Sequence, residues 1–272
     1  LPQVCFGLQD PVVQSSALKL LRIFVYKNLM DPLVYDCMEI LPRLLVTSPF
    51  LVSQISNLYS EFLMTYPLSE KRKQYHLDFL IKQIEVNDLK SRGAILNSLK
   101  LLLDKLPFEE LKEHFDFMML SLLTAISNEE DDDFKQPYYE LLRKASLKNP
   151  VSPLFKQIST WCNHSNINLR KASIGFMGIC VKENLLQTKL FKKEVLPKIL
   201  DSAGEIPVDV LQFLSVWNSL YKDTKVSKTF LEIVDKLIEQ GKEVEPEIIA
   251  SLEECPVELL RKSLPAIENN TF

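Results

Sequence analysis

Seven positions spaced by about forty residues each carry an acidic or small capping residue just ahead of a helical apolar pattern: Asp10, Ser48, Asp88, Asp131, Asn166, Glu205 and Glu245. Subtracting neighbours gives intervals of 38, 40, 43, 35, 39 and 40 residues. A period of this length constrains the fold more than any single motif. It is the signature of stacked two-helix units, each of which buries its apolar face only against its neighbours. Four of the seven superpose in register. Asp10 leads to Val13, Gln14, Ser16, Ala17, Leu20 and Leu21; Asn166 leads to Leu169, Arg170, Ala172, Ser173, Phe176 and Met177. Asp88 leads to Ser91, Arg92, Ala94 and Leu99, and Asp131 leads to Phe134, Lys135, Pro137, Leu141 and Leu142. The small residues are expected to let the second helix of a unit approach its partner closely, and the long apolar ones a turn later to fill the space between units. Ser48, Glu205 and Glu245 keep a proline within two residues (Pro49, Pro207, Pro246) but lose the small and basic positions.

Between these openings the periodicity is helical. Leu77, Leu80, Ile81 and Ile84 share one stripe, as do Ile95, Leu99, Leu102, Leu103 and Leu106, and then Leu111, Phe115, Met118, Leu122 and Ile126. Prolines stand where helices should start, each behind a capping residue: Pro11 after Asp10, Pro32 after Asp31, Pro49 after Ser48 and Pro153 after Ser152. Pro42 and Pro197 instead fall inside apolar helical patterns, where a proline removes a backbone hydrogen bond and kinks the axis. A kinked first helix followed by a straight second one favours HEAT-type units over tetratricopeptide units, whose shorter period and Trp/Gly/Tyr pattern are absent. The expectation is therefore an all-α fold, an α-solenoid of about seven HEAT-like two-helix repeats over residues 1–272, with no linker dividing it. A chain that begins with Leu1 inside such an array is expected to be a fragment of a longer solenoid.

With 272 residues, 46% of them hydrophobic, the chain can bury an extended core without metals or disulfides. Six glycines against fifteen prolines suit helices joined by short turns and not a glycine-rich nucleotide-binding sheet. A formal charge of -4 provides no general footprint for nucleic acid, so any RNA contact has to be local. The cysteines, Cys5, Cys37, Cys162, Cys180 and Cys255, are scattered and odd in number. They read as small hydrophobes in a reducing compartment, not as a disulfide framework. No apolar run reaches the roughly eighteen residues of a membrane span, and no signal peptide is visible. Neither a membrane nor a small-molecule substrate is expected as a partner.

Material for catalysis is thin. His76, His114 and His164 belong to different repeats. Cys162 and His164 form a Cys-x-His pair without a second pair at zinc-finger spacing, which reads as a solvated turn and not as a metal site. Gly175 and Gly178 lie in an apolar helix, where close packing is the simpler explanation than phosphate binding. No P-loop, dinucleotide fingerprint or Ser/His/Asp pattern is present. No enzyme, cofactor or metal is expected. The acidic run Glu129–Asp133 precedes a helix, where negative charge complements the N-terminal dipole; docking of a basic partner is the competing reading.

In three of the superposed repeats the position after the first apolar residue is basic: Arg92, Lys135 and Arg170. In stacked units such a residue is expected to pair with the acidic opening of its neighbour and to form a ladder. Two groups are candidates for RNA or partner contact. The first comprises Lys189, Lys192, Lys193 and Lys198, joined across a turn by Arg170 and Lys171, because lysines three and four apart share a helix face. The second is Lys71, Arg72 and Lys73 at a helix start, where cations oppose the dipole. For both groups, solvated surface is the competing reading, since nearby glutamates dilute them.

Several stretches go beyond a generic array. They are Tyr66, Pro67, Leu68, Ser69, Glu70, Lys71 and Arg72, ending in His76 and Leu77; Ser91, Arg92, Gly93 and Ala94 before Leu99; Leu106, Pro107 and Phe115; and Ile126, Ser127, Asn128 and Glu129. With Ile158, Ser159, Thr160 and Trp161 through Leu169 and Arg170, and the opening Asp10, Pro11, Val12, Val13 and Gln14, they cover roughly half the chain. This pattern resembles the down-regulated-in-metastasis family, the giant HEAT-repeat component 20 of the small-subunit processome. The acidic turn at Glu129–Asp133 is expanded relative to that pattern, and family members are far longer. The resemblance implies a nucleolar, non-catalytic scaffold that binds processome proteins and pre-rRNA or snoRNA during 18S rRNA maturation and 40S assembly; it carries over no catalytic residues. The rival expectation is a HEAT-type adaptor for protein partners, such as a karyopherin-like transport receptor or a phosphatase scaffold.

Overall fold

The computed structural model describes residues 2–150, 154–185 and 188–241, and every described element in it is helical. The helices are α1 (Pro2–Gln9), α2 (Gln14–Tyr26), α3 (Pro32–Thr47), α4 (Val52–Thr65), α5 (Glu70–Lys82), α6 (Leu89–Lys105), α7 (Phe108–Leu111), α8 (Phe115–Asn128), α9 (Asp132–Lys148), α10 (Leu154–Trp161), α11 (Ile167–Lys182), α12 (Thr188–Glu194), α13 (Leu196–Asp201), α14 (Pro207–Tyr221) and α15 (Thr224–Glu239). They cluster into two compact units, Leu1–Asn149 and Pro150–Phe272.

In the first unit the predicted pairing is present. The helix pairs α1/α2, α3/α4, α5/α6 and α8/α9 each pack within a repeat, with the four-residue α7 and a 3-10 turn leading into α8. First helices pack on first helices (α1 on α3, α3 on α5, α5 on α8) and second on second (α2 on α4, α4 on α6, α6 on α9). The result is two layers of helices, the solenoid arrangement in which each unit touches its neighbours. In the second unit α10 packs on α11, α11 on α14 and α14 on α15.

The apolar stripes read from the sequence are the core. Leu80, Ile95, Phe115 and Leu122 are wholly buried, and each of their stripe companions from Leu77 to Ile126 is buried with them. Ala94, Ala172 and Ser173 are likewise buried at the repeated small positions. α11 packs on α14, and an added Cβ on Gly178 would meet the Phe213 ring at 3.9 Å, so Gly178 belongs to a packing surface. Leu20 departs from the pattern: it is 49% exposed, while Leu21 beside it is buried.

The six openings among the described residues are the turns between the two helices of each repeat, but they do not all cap in the same way. Asp88 accepts from Ser91 N at 2.8 Å, Asp131 from Asp133 N at 2.9 Å and Asn166 from Leu169 N at 3.1 Å, each satisfying an orphan helix donor. Asp10 closes a turn on Val12 N at 2.9 Å, four residues before α2 begins. Ser48 ends α3, and α14 starts behind Ile206 without a side-chain cap, leaving Glu205 for another role. Glu245, Pro246, Ser152, Pro153 and Cys255 lie outside the described residues. Pro42 is inside α3 as expected. Pro197 is not: it takes the second position of a short helix, where its missing N–H breaks no bond, and the apolar pattern around it is divided into α12 and α13 at Val195.

One expectation about the cysteines is corrected. Cys5 and Cys37 form a disulfide between α1 and α3, with Cα atoms 5.1 Å apart and a sequence separation of 32. Their apolar helical spacing conceals this, because the pairing arises from two first helices packing side by side. Cys162 and Cys180 conform to the reading as buried free thiols.

Candidate binding surfaces

Chemistry on these helices is organised by contacts between residues about one repeat apart. Arg92, at the first residues of α6, donates Nη1–H to Glu129 Oε2 at 2.6 Å and Nε–H to Val86 O at 3.0 Å. Arg170, at the same position of α11, donates Nη2–H to Glu205 Oε2 at 3.0 Å. The ladder is thus present at two of the basic positions. Its acceptor is the opening itself in one case (Glu205) and the residue two before the opening in the other (Glu129). Gln14, the uncharged member of the set, donates Nε2–H to Leu8 O at 2.7 Å inside its own repeat. Two members of the acidic run belong to the same framework: Glu129 accepts from Arg92 and Asp131 caps α9. Arg170 holds the Glu205 carboxyl below its ordinary range by hydrogen bond and charge.

A second set of long-range bonds closes helix ends. The Tyr66 hydroxyl, following α4, donates to Phe24 O and Leu29 O at 3.3 and 3.2 Å. Lys148 Nζ at the end of α9 donates to Leu103 O and Leu106 O, and Ser202 Oγ after α13 donates to Cys162 O at 2.9 Å. Each side chain reaches back about a repeat to carbonyls near a helix end. Burial lowers the Lys148 ammonium below the usual lysine range, with Asp104 opposing the shift.

The histidines and the Cys-x-His pair are likewise placed. His76 is buried, with Nδ1 2.7 Å from the Tyr59 hydroxyl and Nε2 3.7 Å from Glu39. His114 Nδ1 lies 2.9 Å from Asp78 Oδ1. His164 Nδ1 accepts from Asn166 N at 3.0 Å inside its turn. Cys162 is buried and its thiol is pushed up to about 12 by desolvation, which leaves it protonated and a poor ligand. Among the described residues no group of three His, Cys, Asp or Glu side chains is arranged to hold a metal ion. No described helix is long and apolar enough to cross a membrane.

The nine candidate contact residues divide by whether their charge is already engaged. Arg170 is buried and paired with Glu205; Lys171 lies 3.6 Å from Asp209. Lys192 Nζ is 2.9 Å from Asp223 and 5.8 Å from the centre of the Trp217 ring, and it holds the Asp223 carboxyl below its ordinary range. Lys73 on α5 pairs with Glu110 on α7. Arg72 stands 4.0 Å from Glu39 and 5.7 Å from the Tyr35 ring centre. Lys71, Lys189 and Lys193 are exposed, and Lys198 is half-buried. Lys189, Lys192 and Lys193 share α12, as their spacing requires, and Lys198 belongs to α13 beyond the break at Val195.

The sequence reading passed over a concavity of the first unit. The second helices α2, α4 and α6 lie side by side in the first unit, and between their outward faces is a groove of about 700 Å³. Lys19, Arg22 and Tyr26 line it from α2, Gln54, Asn57, Glu61 and Met64 from α4, and Leu101 and Lys105 from α6. Leu18, Val25 and Leu58 form its floor. The signal was available in the i, i+3, i+7 spacing of Lys19, Arg22 and Tyr26, off the buried stripe of α2. Its meaning depends on which helices become neighbours.

Comparison with known proteins gives one curated relative of note. Over 218 residues, 76% of this chain, the sequence is 22% identical to U3 small nucleolar RNA-associated protein 20 of Schizosaccharomyces pombe (strain 972). The chain spans 9% of the length of that relative. No protein-family model matches the chain. Among solved structures, a crystal structure of an engineered protein aligns with a TM-score of 0.40 at 13% identity, covering 97% of this chain and 71% of the other. The chain is therefore an all-α protein of stacked helix pairs with a distant sequence relationship to a protein named for its association with U3 small nucleolar RNA.

Proposed function

We propose that this chain is a non-catalytic scaffold segment in ribosome biogenesis. It acts in the nucleolus within the small-subunit processome and supports 18S pre-rRNA processing and 40S assembly by holding assembly factors and pre-rRNA. The observation that carries the reading is the similarity to U3 small nucleolar RNA-associated protein 20 over 218 residues. The fold is of the right kind for it: stacked helix pairs offer a long pre-formed surface on which several weak contacts act together. Local RNA contact falls to the exposed lysines Lys71, Lys189 and Lys193, whereas Arg170, Lys171 and Lys192 already neutralise neighbouring carboxylates.

The test is affinity purification of the chain from cells, followed by crosslinking and RNA sequencing. The expected result is enrichment of 18S precursor sequences and processome proteins, with crosslinks near Lys189 and Lys193. Recovery of a small GTPase or a phosphatase subunit without nucleolar factors would replace this reading with the HEAT-type adaptor, which the groove on α2, α4 and α6 also suits.

A further inference from the structure

We infer that the groove across α2, α4 and α6 is a docking site for a helical protein segment that is apolar on one face and acidic along its edges. The proposal deepens the scaffold reading by giving one of its surfaces a partner class, and it rests on that reading only in taking the chain to be a binding protein.

Charge is the first argument. Across this fold, cations at repeat interfaces are engaged: Arg92 with Glu129, Lys100 with Glu140, Lys144 with Asp104 and Lys73 with Glu110. Lys19, Arg22 and Lys105 break that habit. All three are exposed on the groove, and none forms an ion pair among the described residues. The groove contains a single carboxylate, Glu61, so its lining carries a net positive charge on a chain whose overall formal charge is -4.

Shape and polarity are the second. Packed helices lie about 8–10 Å apart, so three of them side by side frame a trough about 16–20 Å wide between its outer axes. One further helix of about 10–12 Å diameter fits such a trough. Tyr26 and Leu101, 73% and 38% exposed, flank the trough from opposite sides, and Met64 lies on the central helix between them. Large apolar side chains held open to water in a concavity are anchor sites for the i, i+3, i+4 and i+7 residues of an amphipathic helix. Beneath them the Ser60 hydroxyl is buried without a hydrogen-bond partner and lines the same groove.

The same features discriminate against a nucleic-acid strand. Tyr26 is the single aromatic ring in the lining, too few for successive base stacking, and Glu61 on the central helix repels a phosphate backbone running down the trough. A helix with carboxylates on its flanks instead meets Lys19 and Arg22 on one bank and Lys105 on the other.

The experiment is a fluorescence-anisotropy titration of the full chain. Its probes are a designed helical peptide with leucines at i, i+3, i+4 and i+7 and glutamates on the flanks, the same peptide with lysines in place of the glutamates, and a single-stranded oligouridylate. The glutamate peptide is expected to bind, more weakly as salt rises, and the lysine peptide and the oligonucleotide to bind poorly. Combining Lys19→Gln with Arg22→Gln should weaken the glutamate peptide about tenfold. Leu101→Asp should abolish binding, and Lys156→Gln on α10 should leave it unchanged. Because all of these residues are exposed, matched helicity and melting temperature can confirm that each variant is folded. Equal binding of the two peptides, insensitivity to the Lys19/Arg22 pair of substitutions, or oligonucleotide binding that the pair abolishes would each overturn the assignment. Failure of every probe would overturn it too. Since the titration uses purified chain, its outcome is separate from co-purification with pre-ribosomal particles, on which the scaffold reading stands.

Discussion

Arg92 in the first unit and Arg170 in the second occupy one position of the repeat, yet their surroundings differ. Arg92 is satisfied twice, by Glu129 and by Val86 O, and the side chains of the ion pair are comparably shielded at 17% and 15% exposure. The Arg170 side chain is 5% exposed, but its partner Glu205 is 61% exposed and the Arg170 Nε has no hydrogen-bond partner. A shielded, doubly bonded guanidinium gains from charge-assisted hydrogen bonding, while a buried guanidinium facing a solvated carboxylate gains mainly from the packing of its apolar stem. The same letter in the same register therefore contributes by different physics. Cysteine chemistry separates the units as well: a disulfide joins α1 to α3 in the first, whereas Cys162 and Cys180, among the described residues of the second, are buried free thiols.

The largest expected effect sharpens that last contrast. Cys5→Ser should destabilise the first unit by about 2–4 kcal/mol through the lost loop constraint. Reductant should lower its melting transition similarly and leave residues of the second unit with unchanged hydrogen-exchange protection. Equal loss in both units would break the comparison. Next in size, Ala172→Phe should overpack α11 against its neighbours at about 1–3 kcal/mol, because Ala172 is 1% exposed. An unchanged melting temperature would remove the close-packing role of the repeated small position. Third, a double-mutant cycle of Arg92→Ala with Glu129→Ala should give a coupling of about 1–2 kcal/mol. The corresponding cycle for Arg170 and Glu205 should give less, with most of the loss in the arginine variant alone. Equal couplings would mean that exposure of the carboxylate is immaterial.

The smallest effect is a pH dependence centred on His76 in the first unit. Burial lowers the His76 pKa below its ordinary value, outweighing Glu39, which acts the other way. With the folded value below the unfolded one near 6.5, the unfolded chain binds the extra proton as pH drops, so stability is full above that value and declines as pH falls below it. Thermal melts between about pH 7 and pH 5 should show this slope, and His76→Gln should flatten it at some loss of the bond to Tyr59.

Much of the fold was legible because helix periodicity is local. The stripe of Leu111, Phe115, Met118, Leu122 and Ile126 is set by residues three and four apart, and every member is buried. The turn at Asp88 announces itself by an acidic cap whose donor, the Ser91 N–H, is three residues away. The misreadings arose where the partner lies farther off. Glu205 resembles a cap and serves as an acceptor for Arg170, 35 residues earlier. Pro197 resembles a kink and stands at the start of its own short helix. Cys5 and Cys37 each look like a small apolar residue until α1 and α3 are seen to pack together.

Of the candidate contact residues, the sequence identified cations by type and helical spacing, and Lys189, Lys192 and Lys193 fall on the one helix α12. It could not say that Lys192 faces Asp223 or Lys171 faces Asp209, nor that Lys19, Arg22 and Lys105 converge unpaired on one groove. By itself the sequence determined the forty-residue period, the helix pairs that follow from it and the residues that enter the core. Those features depend on dihedral preferences and apolar spacing within one or two helical turns. Tertiary structure alone decided which charges are engaged, which thiols join and where a trough opens. Ion pairs, disulfides and grooves depend on distances of a few ångströms between residues a repeat or more apart, and those distances exist only once the helices have stacked.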